Sequence, residues 1–318
     1  MKMIKSKLIS YLNEGDASVK YQVGLYLINL PNEELLNLKD RISKEGFGKK
    51  LLSFRDSESK MWGGGIYSPK WISTHYSILE LLNIGCDLSI PEIKESTELL
   101  LNEMWKSCGM DKRKRYQDMC VAAMILQMAV NAKIQSIKLN EIVDYILNHQ
   151  FDDGGWNCAW QRGAIKSSLH TTICVLEAFR DYKNCGYTYR MEETQKVIPN
   201  AVEFILKKNL FRSVRTNEII DEKMLKMSYP TRWQYDVLRA LFYLSSIHFP
   251  YDPRMEQGIQ YLIEKQTDES VWKAETARPN KVHFSMEKNG SPSRFNTLRV
   301  LYVLKEYKPN LYLKLIQQ

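Results

Sequence analysis

Val121-Ala-Ala-Met-Ile-Leu-Gln-Met-Ala-Val130 holds a single polar side chain, Gln127, and no turn residue. A surface helix keeps one polar face; a stretch that is apolar all round belongs to a helix packed on every side. Working outward, a second such stretch is Asp236-Val-Leu-Arg-Ala-Leu-Phe-Tyr-Leu244. Six segments share the pattern: 17–30, 71–84, 117–131, 169–182, 232–246 and 294–307. More amphipathic segments lie between them, at 90–105, 139–150, 197–208 and 254–266. Pairing each inner segment with the next outer one gives a repeat of roughly 47 to 62 residues, in the range of helical-pair repeats. Strand-like alternation is nearly absent. The expectation is therefore an all-α chain, an (α/α)6 toroid of about six helix pairs, with residues 1–318 as one domain. At 318 residues the chain is long for one compact core, but a repeat array packs unit on unit.

The connections are asymmetric. Those running from outer to inner segments, 53–70, 106–116, 151–168, 209–231 and 267–293, are long, whereas those running from inner to outer are short. In an alternating ring the long loops emerge together, at the N-terminal ends of the inner helices. Long structured loops on one face of a rigid scaffold are where function usually sits.

Composition narrows the classes. The net charge is +8, from 45 Lys and Arg against 37 Asp and Glu. That balance suits an anionic ligand, but the basic residues are spread out and form no arm of the kind that binds nucleic acid. No apolar run approaches the roughly 20 residues of a transmembrane helix. The start, Met1-Lys-Met-Ile-Lys-Ser-Lys7, carries charge before any leader core. A cytoplasmic protein with reduced thiols is expected, in which Cys86, Cys108, Cys174 and Cys185 serve packing or loops.

Two segments, Gln150-Phe-Asp-Asp-Gly-Gly-Trp156 and Gln266-Thr-Asp-Glu-Ser-Val-Trp272, resemble the Gln-Trp motifs of the terpenoid cyclase and protein prenyltransferase superfamily. Met61-Trp-Gly-Gly-Gly65 is a degenerate third copy. Physically, the glycines turn the chain after an outer helix, while Gln and Trp pin the corner; Cys158 and Asp153 belong to that corner. The resemblance spans about residues 17–307 and implies the toroid. The Asp-x-Asp-Asp acid of the cyclases is absent from the sequence.

Closer still is the resemblance to protein prenyltransferase β subunits. These hold zinc with an Asp-x-Cys at the start of one inner helix and a His at the start of the next. Asp118-Met-Cys120 and His170 match, 52 residues apart by 170 − 118. Thiolate, carboxylate and imidazole are zinc ligands, and three of them leave a fourth position open. In that family the open position takes an acceptor thiol. The basic residues six and three positions before the zinc Asp, which bind an isoprenoid diphosphate in the family, are matched by Lys112 and Arg115. Lys70 stands where the family has a diphosphate-binding His. Two family tyrosines are replaced by Val121 and Leu169. Arg232 and Arg294 open the last two inner segments and are further candidates for the anion, with Asp236, His283 and Glu287 near the same rim.

The resemblance implies a zinc-dependent prenyltransferase-like protein. It would take an isoprenoid diphosphate, or another apolar ligand with an anionic head, into its central cavity and transfer it to a protein or peptide thiol. The family's enzymes work with a helical-repeat α subunit, which this sequence does not encode. Two other readings stay open: a non-catalytic toroid that binds a lipid or peptide, and a cyclase relative without its acid. On the bland side, Asp-x-Cys is a short pattern, His170 with its two threonines suits a helix end, and Lys112–Arg115 suits a solvated loop.

Overall fold

The computed structural model describes residues 7–105, 117–275 and 281–317. The chain is all-α, with fourteen α-helices among the described residues and a single strand pair, Trp272–Lys273 against Pro292–Ser293. The helices are α1 (Lys7–Asn13), α2 (Ala17–Gln22, continued by the π-helical turn Val23–Ile28), α3 (Asn32–Lys44), α4 (Gly46–Leu52), α5 (Thr74–Asn83), α6 (Pro91–Met104) and α7 (Met119–Asn131). They continue as α8 (Ile137–Leu147), α9 (Leu169–Asn184), α10 (Met191–Leu206), α11 (Val237–Ser246), α12 (Glu256–Glu264), α13 (Arg294–Tyr307) and α14 (Pro309–Ile316). No helix among the described residues is long and apolar enough to cross a membrane.

Burial separates two kinds of helix. From Met119 to Val130 only Cys120 of α7 is not buried, and α13 is buried from Phe295 to Leu304. By contrast α3 buries Ile42 alone and α12 buries Gly258, Ile259 and Leu262. The six predicted inner segments correspond to α2, α5, α7, α9, α11 and α13. The segment expected at 232–246 becomes helical only at Val237, because the backbone before it is engaged elsewhere. Asp236 caps α11 by accepting from Arg239 N at 2.7 Å, and Arg239 Nη1 takes the carbonyls of Arg232 and Gln234 at 2.7 and 2.5 Å.

Each inner helix is tied to its neighbours. Gln22 Nε2 donates to Asn83 O (3.1 Å), joining α2 to α5, and α5 packs on α7. Gln127 Nε2 donates to Asp181 Oδ2 (2.8 Å), joining α7 to α9. Arg239 pairs with Glu177 at 2.5 Å, joining α11 to α9. Tyr302 OH donates to Ser245 O at 3.1 Å, and the Tyr302 ring lies 4.9 Å from that of Tyr26, so α13 touches both α11 and the turn after α2. All six contribute to the wall of one cavity of about 230 Å³.

The three tryptophan corners share one set of bonds. The indoles of Trp62, Trp156 and Trp272 donate to Leu51 O, Ile146 O and Leu262 O at 2.7, 2.8 and 2.6 Å, which satisfies a carbonyl near the end of α4, α8 and α12. The backbone N–H of each Trp donates to a threonine in the first turns of the next inner helix: Thr74, Thr172 and Thr297, at 3.1, 3.1 and 3.0 Å. What the turn requires is a left-handed residue two places before the Trp: Lys60 (φ 63°), Gly154 (φ 96°) and Ser270 (φ 61°). Glycine fills that place once, at Gly154, where an added Cβ would lie 2.4 Å from Asn200 O. Gln150 Nε2 pins its corner to Gly154 O and Val197 O at 2.7 and 3.2 Å, whereas the Nε2 of Gln266 has no partner among the described residues.

Candidate functional site

The first N–H groups of a helix have no intrahelical acceptor, and they make its N-terminus a favourable place for negative charge. At the start of α7 one of these groups, Cys120 N, donates to the sulfur of Cys158 at 3.2 Å. The two sulfurs are 3.0 Å apart, and Thr171 Oγ1 of α9 lies 3.3 Å from Cys158 Sγ. Cys158 sits in the short 3-10 turn Cys158–Arg162, reached from the Trp156 corner, and its own N–H donates to Thr171 Oγ1 at 3.3 Å. The turn after the Trp156 corner thus meets the start of α7 at one thiol pair.

Hydrogen bonding divides the pair. With both thiols protonated Cys158 Sγ donates to Cys120 Sγ, and because Cys158 also faces the Cys120 N–H and the Thr171 hydroxyl it is the thiol whose deprotonation is favoured. The hydrogen bond from Cys120 is the main reason that the Cys158 thiol is lowered to about 7, against the opposing effect of burial. The same bond, with burial, raises Cys120. Elsewhere burial pushes the thiols of Cys86 and Cys174 up to about 12.

This assignment predicts a reactivity profile. Iodoacetamide should modify Cys158 ahead of the buried Cys86 and Cys174, followed by peptide mass mapping. Because only the thiolate reacts, the Cys158 rate should fall as pH drops below about 7 and level off above it. A Cys158 rate still climbing tenfold between pH 8 and 9 would contradict the assignment.

The residues singled out from the sequence are distributed as follows. Asp118 is the N-cap of α7; it is exposed, and no group among the described residues engages its carboxylate. Asp118, Cys120 and His170 all stand at inner-helix N-termini, but among the described residues no three His, Cys, Asp or Glu side chains are arranged to hold a metal ion. His170 Nδ1 accepts from Tyr235 N at 2.8 Å. That nitrogen therefore lacks a proton, and the neutral ring carries its proton on Nε2. A metal-ligating histidine has the opposite pattern, donating from the nitrogen that does not bind metal. As placed, His170 offers Nδ1 to Tyr235 rather than to a metal, and Asp118, Cys120 and Cys158, though zinc-ligand types, are not arranged as a ready ligand set either.

Lys70 is exposed, its Nζ 6.0 Å from the Tyr67 ring. Lys112, Arg115 and Cys108 lie outside the described residues. Arg232 pairs with Glu80 at 2.9 Å and stacks over Trp71 at 4.3 Å. Arg294 Nε donates to Tyr11 O at 2.9 Å, its backbone N–H goes to Glu287 at 2.7 Å, and its guanidinium covers the Tyr11 ring. His283 Nε2 lies 3.0 Å from Ser77 Oγ. Sequence reasoning assigned Cys158 to a corner and missed its sulfur contact. The available signal was its place two residues after a corner Trp whose N–H reaches the next inner helix. His75, also missed, is fully buried at the start of α5 between Tyr67 and Tyr76; burial lowers its pKa to about 3 and keeps it neutral.

No family model matches this chain, and no curated protein is significantly similar to it.

Proposed function

We propose that the six inner helices and their outer partners close into an (α/α)6 toroid, and that the rim at the inner-helix N-termini is the working face of a zinc-dependent, prenyltransferase-like protein. The closed succession of contacts from α2 through α13 and back to α2 supports the ring. The observation that carries the functional reading is the Cys120–Cys158 pair, two sulfurs 3.0 Å apart with a helix N–H aimed at one of them. Cys120 and Cys158 would hold the metal, with Asp118 as third donor. Bound zinc in such a site lowers the pKa of a thiol ligand and so would supply a nucleophilic acceptor at neutral pH.

The chain's own residues then have separable tasks. Cys158 keeps negative charge at the rim, stabilised by Cys120 N–H and Thr171. Tyr235, by donating to His170, fixes that ring against Trp233, 5.3 Å away. Lys70, Lys112 and Arg115 are the cations assigned to the leaving diphosphate. The non-catalytic reading has one observation in its favour: the cavity inside the ring is walled by Glu177, Arg180, Asp181, Arg239 and Arg299, a polar lining for an isoprenoid chain.

Binding of a fluorescent geranylgeranyl diphosphate analogue tests the transferase reading. Wild type should bind it saturably, and Lys112→Ala with Arg115→Ala should bind on the order of a hundredfold more weakly. Two charge-assisted contacts at about 1.5 kcal/mol each multiply to that factor. Equal affinity in the double variant, or no binding by wild type, would remove the diphosphate from the account.

A further inference from the structure

Arg299 lies in the middle of α13, is 4% exposed and lines the central cavity. A buried guanidinium is costly unless it is paired, and the other two arginines of the wall are paired. Arg239 grips Glu177 through Nε and Nη2 at 2.9 and 2.5 Å, and Arg180 holds Asp181 through Nε and Nη2, both at 2.8 Å. Arg299 differs. Among the described residues its Nη1 has no hydrogen-bond partner and no carboxylate forms an ion pair with it. Its guanidinium lies instead 5.4 Å from the ring centroid of Phe242 and 5.8 Å from that of Tyr229.

Asp236 is the carboxylate that acts on Arg299 most strongly. It is committed to Arg239 N at 2.7 Å and forms no ion pair with Arg299 among the described residues, so it faces the guanidinium without holding it. The amide donors of the wall are also taken: Gln127 and Asn131 both donate to Asp181, at 2.8 and 3.1 Å. Arg299 is therefore the one buried cation of the lining without an ion-pair partner among the described residues, Lys39 being only half-buried, and its wall includes Tyr26, Tyr229 and Phe242.

The geometry points to a binding site for a small monoanionic carboxylate with an aromatic body, its carboxylate on Arg299 and its ring among Tyr26, Tyr229 and Phe242. The volume, about 230 Å³, exceeds the roughly 150 Å³ of an apolar cavity that admits benzene; a ring plus a charged group fits. A planar guanidinium matches a carboxylate in two-point contact. Arg299 neutralises one charge at the buried wall, and the other cation of the lining without an ion pair among the described residues, Lys39, is half-buried and more hydrated, so a phosphate dianion is disfavoured. Leu25, Lys39 and Gly85 line the cavity together with Asn83 and Asn131, at the C-terminal ends of α5 and α7. Along α7 that end is about 16 Å from Cys120, so this site is separate from the thiol rim and stands or falls without it.

Titration calorimetry with sodium benzoate, benzyl alcohol and inorganic phosphate tests the site. Wild type should bind benzoate saturably at millimolar concentration and at least tenfold more tightly than its neutral analogue benzyl alcohol, and phosphate should not displace it. Arg299→Met should lose at least tenfold in benzoate affinity, keep its benzyl alcohol affinity, and melt no lower than wild type, since the cation removed has no ion-pair partner. Equal binding of benzoate and benzyl alcohol by wild type would overturn the inference even if the variant failed to fold. So would displacement of benzoate by phosphate, or unchanged benzoate affinity in Arg299→Met.

Discussion

Trp156→Ala should destabilise the protein by about 3–5 kcal/mol, the usual range for removing a fully buried aromatic side chain. Trp156 is 0% exposed, its indole closes the end of α8 through Ile146 O at 2.8 Å, and its N–H reaches Thr172 in α9 at 3.1 Å. The substitution thus opens a cavity and strands a carbonyl at the join of outer and inner layers. Trp156→Phe keeps most of the apolar volume and loses the indole bond, so it should cost roughly 1–3 kcal/mol less than the Ala variant. Urea unfolding of wild type and both variants measures the difference. A loss below 1 kcal/mol in Trp156→Ala would mean that the corner is decoration and that the layers are joined elsewhere.

The corner shows how far the amino-acid sequence reaches. Three tryptophans followed by an inner helix are visible in the sequence, and so is the role of Gln150. The left-handed residue is harder to see, because Lys60 and Ser270 fill the place that Gly154 fills in one copy. Identity there is set by backbone strain that a lysine or serine tolerates. Inner helices are legible for a different reason: burial on all sides leaves almost no polar residue, as in α7. The start of α11 is missed because Arg232–Trp233–Gln234 reads as helix, while Arg239 folds back onto two of its carbonyls. The π-helical turn Val23–Ile28 leaves no mark that separates it from an α-helix.

The candidate site is legible only in part. Asp118, Cys120 and His170 can be picked out because they recur at inner-helix starts, one repeat apart. The Cys120–Cys158 contact depends on the path of a loop across 38 positions, and no local pattern announces it. The bond from Tyr235 to His170, which sets the proton on that ring, joins residues 65 apart. Arg299 reads as an ordinary polar residue of an inner helix; that it lacks an ion-pair partner emerges only from what surrounds it.

Zinc stoichiometry tests the central claim most directly. Purified protein, loaded with zinc and dialysed against a mild chelator at neutral pH, should retain about one equivalent; the fold should persist without it, because the core of α7, α9, α11 and α13 does not depend on the rim. Cys120→Ser and Cys158→Ser should each lose the metal, with affinity lower by on the order of a hundredfold or more, since removing even an outer-sphere partner costs 10–100-fold. His170→Ala should retain it. Binding should weaken as pH falls, because protons compete for the thiolates. Cobalt substitution gives a second readout, a sulfur-to-metal charge-transfer band that halves in either serine variant if both thiolates bind and the metal is forced on by excess. Retention of one zinc by wild type, His170→Ala alike, and its loss from both cysteine variants is the predicted result. No zinc in wild type, or zinc held as tightly by Cys158→Ser as by wild type, would contradict the account.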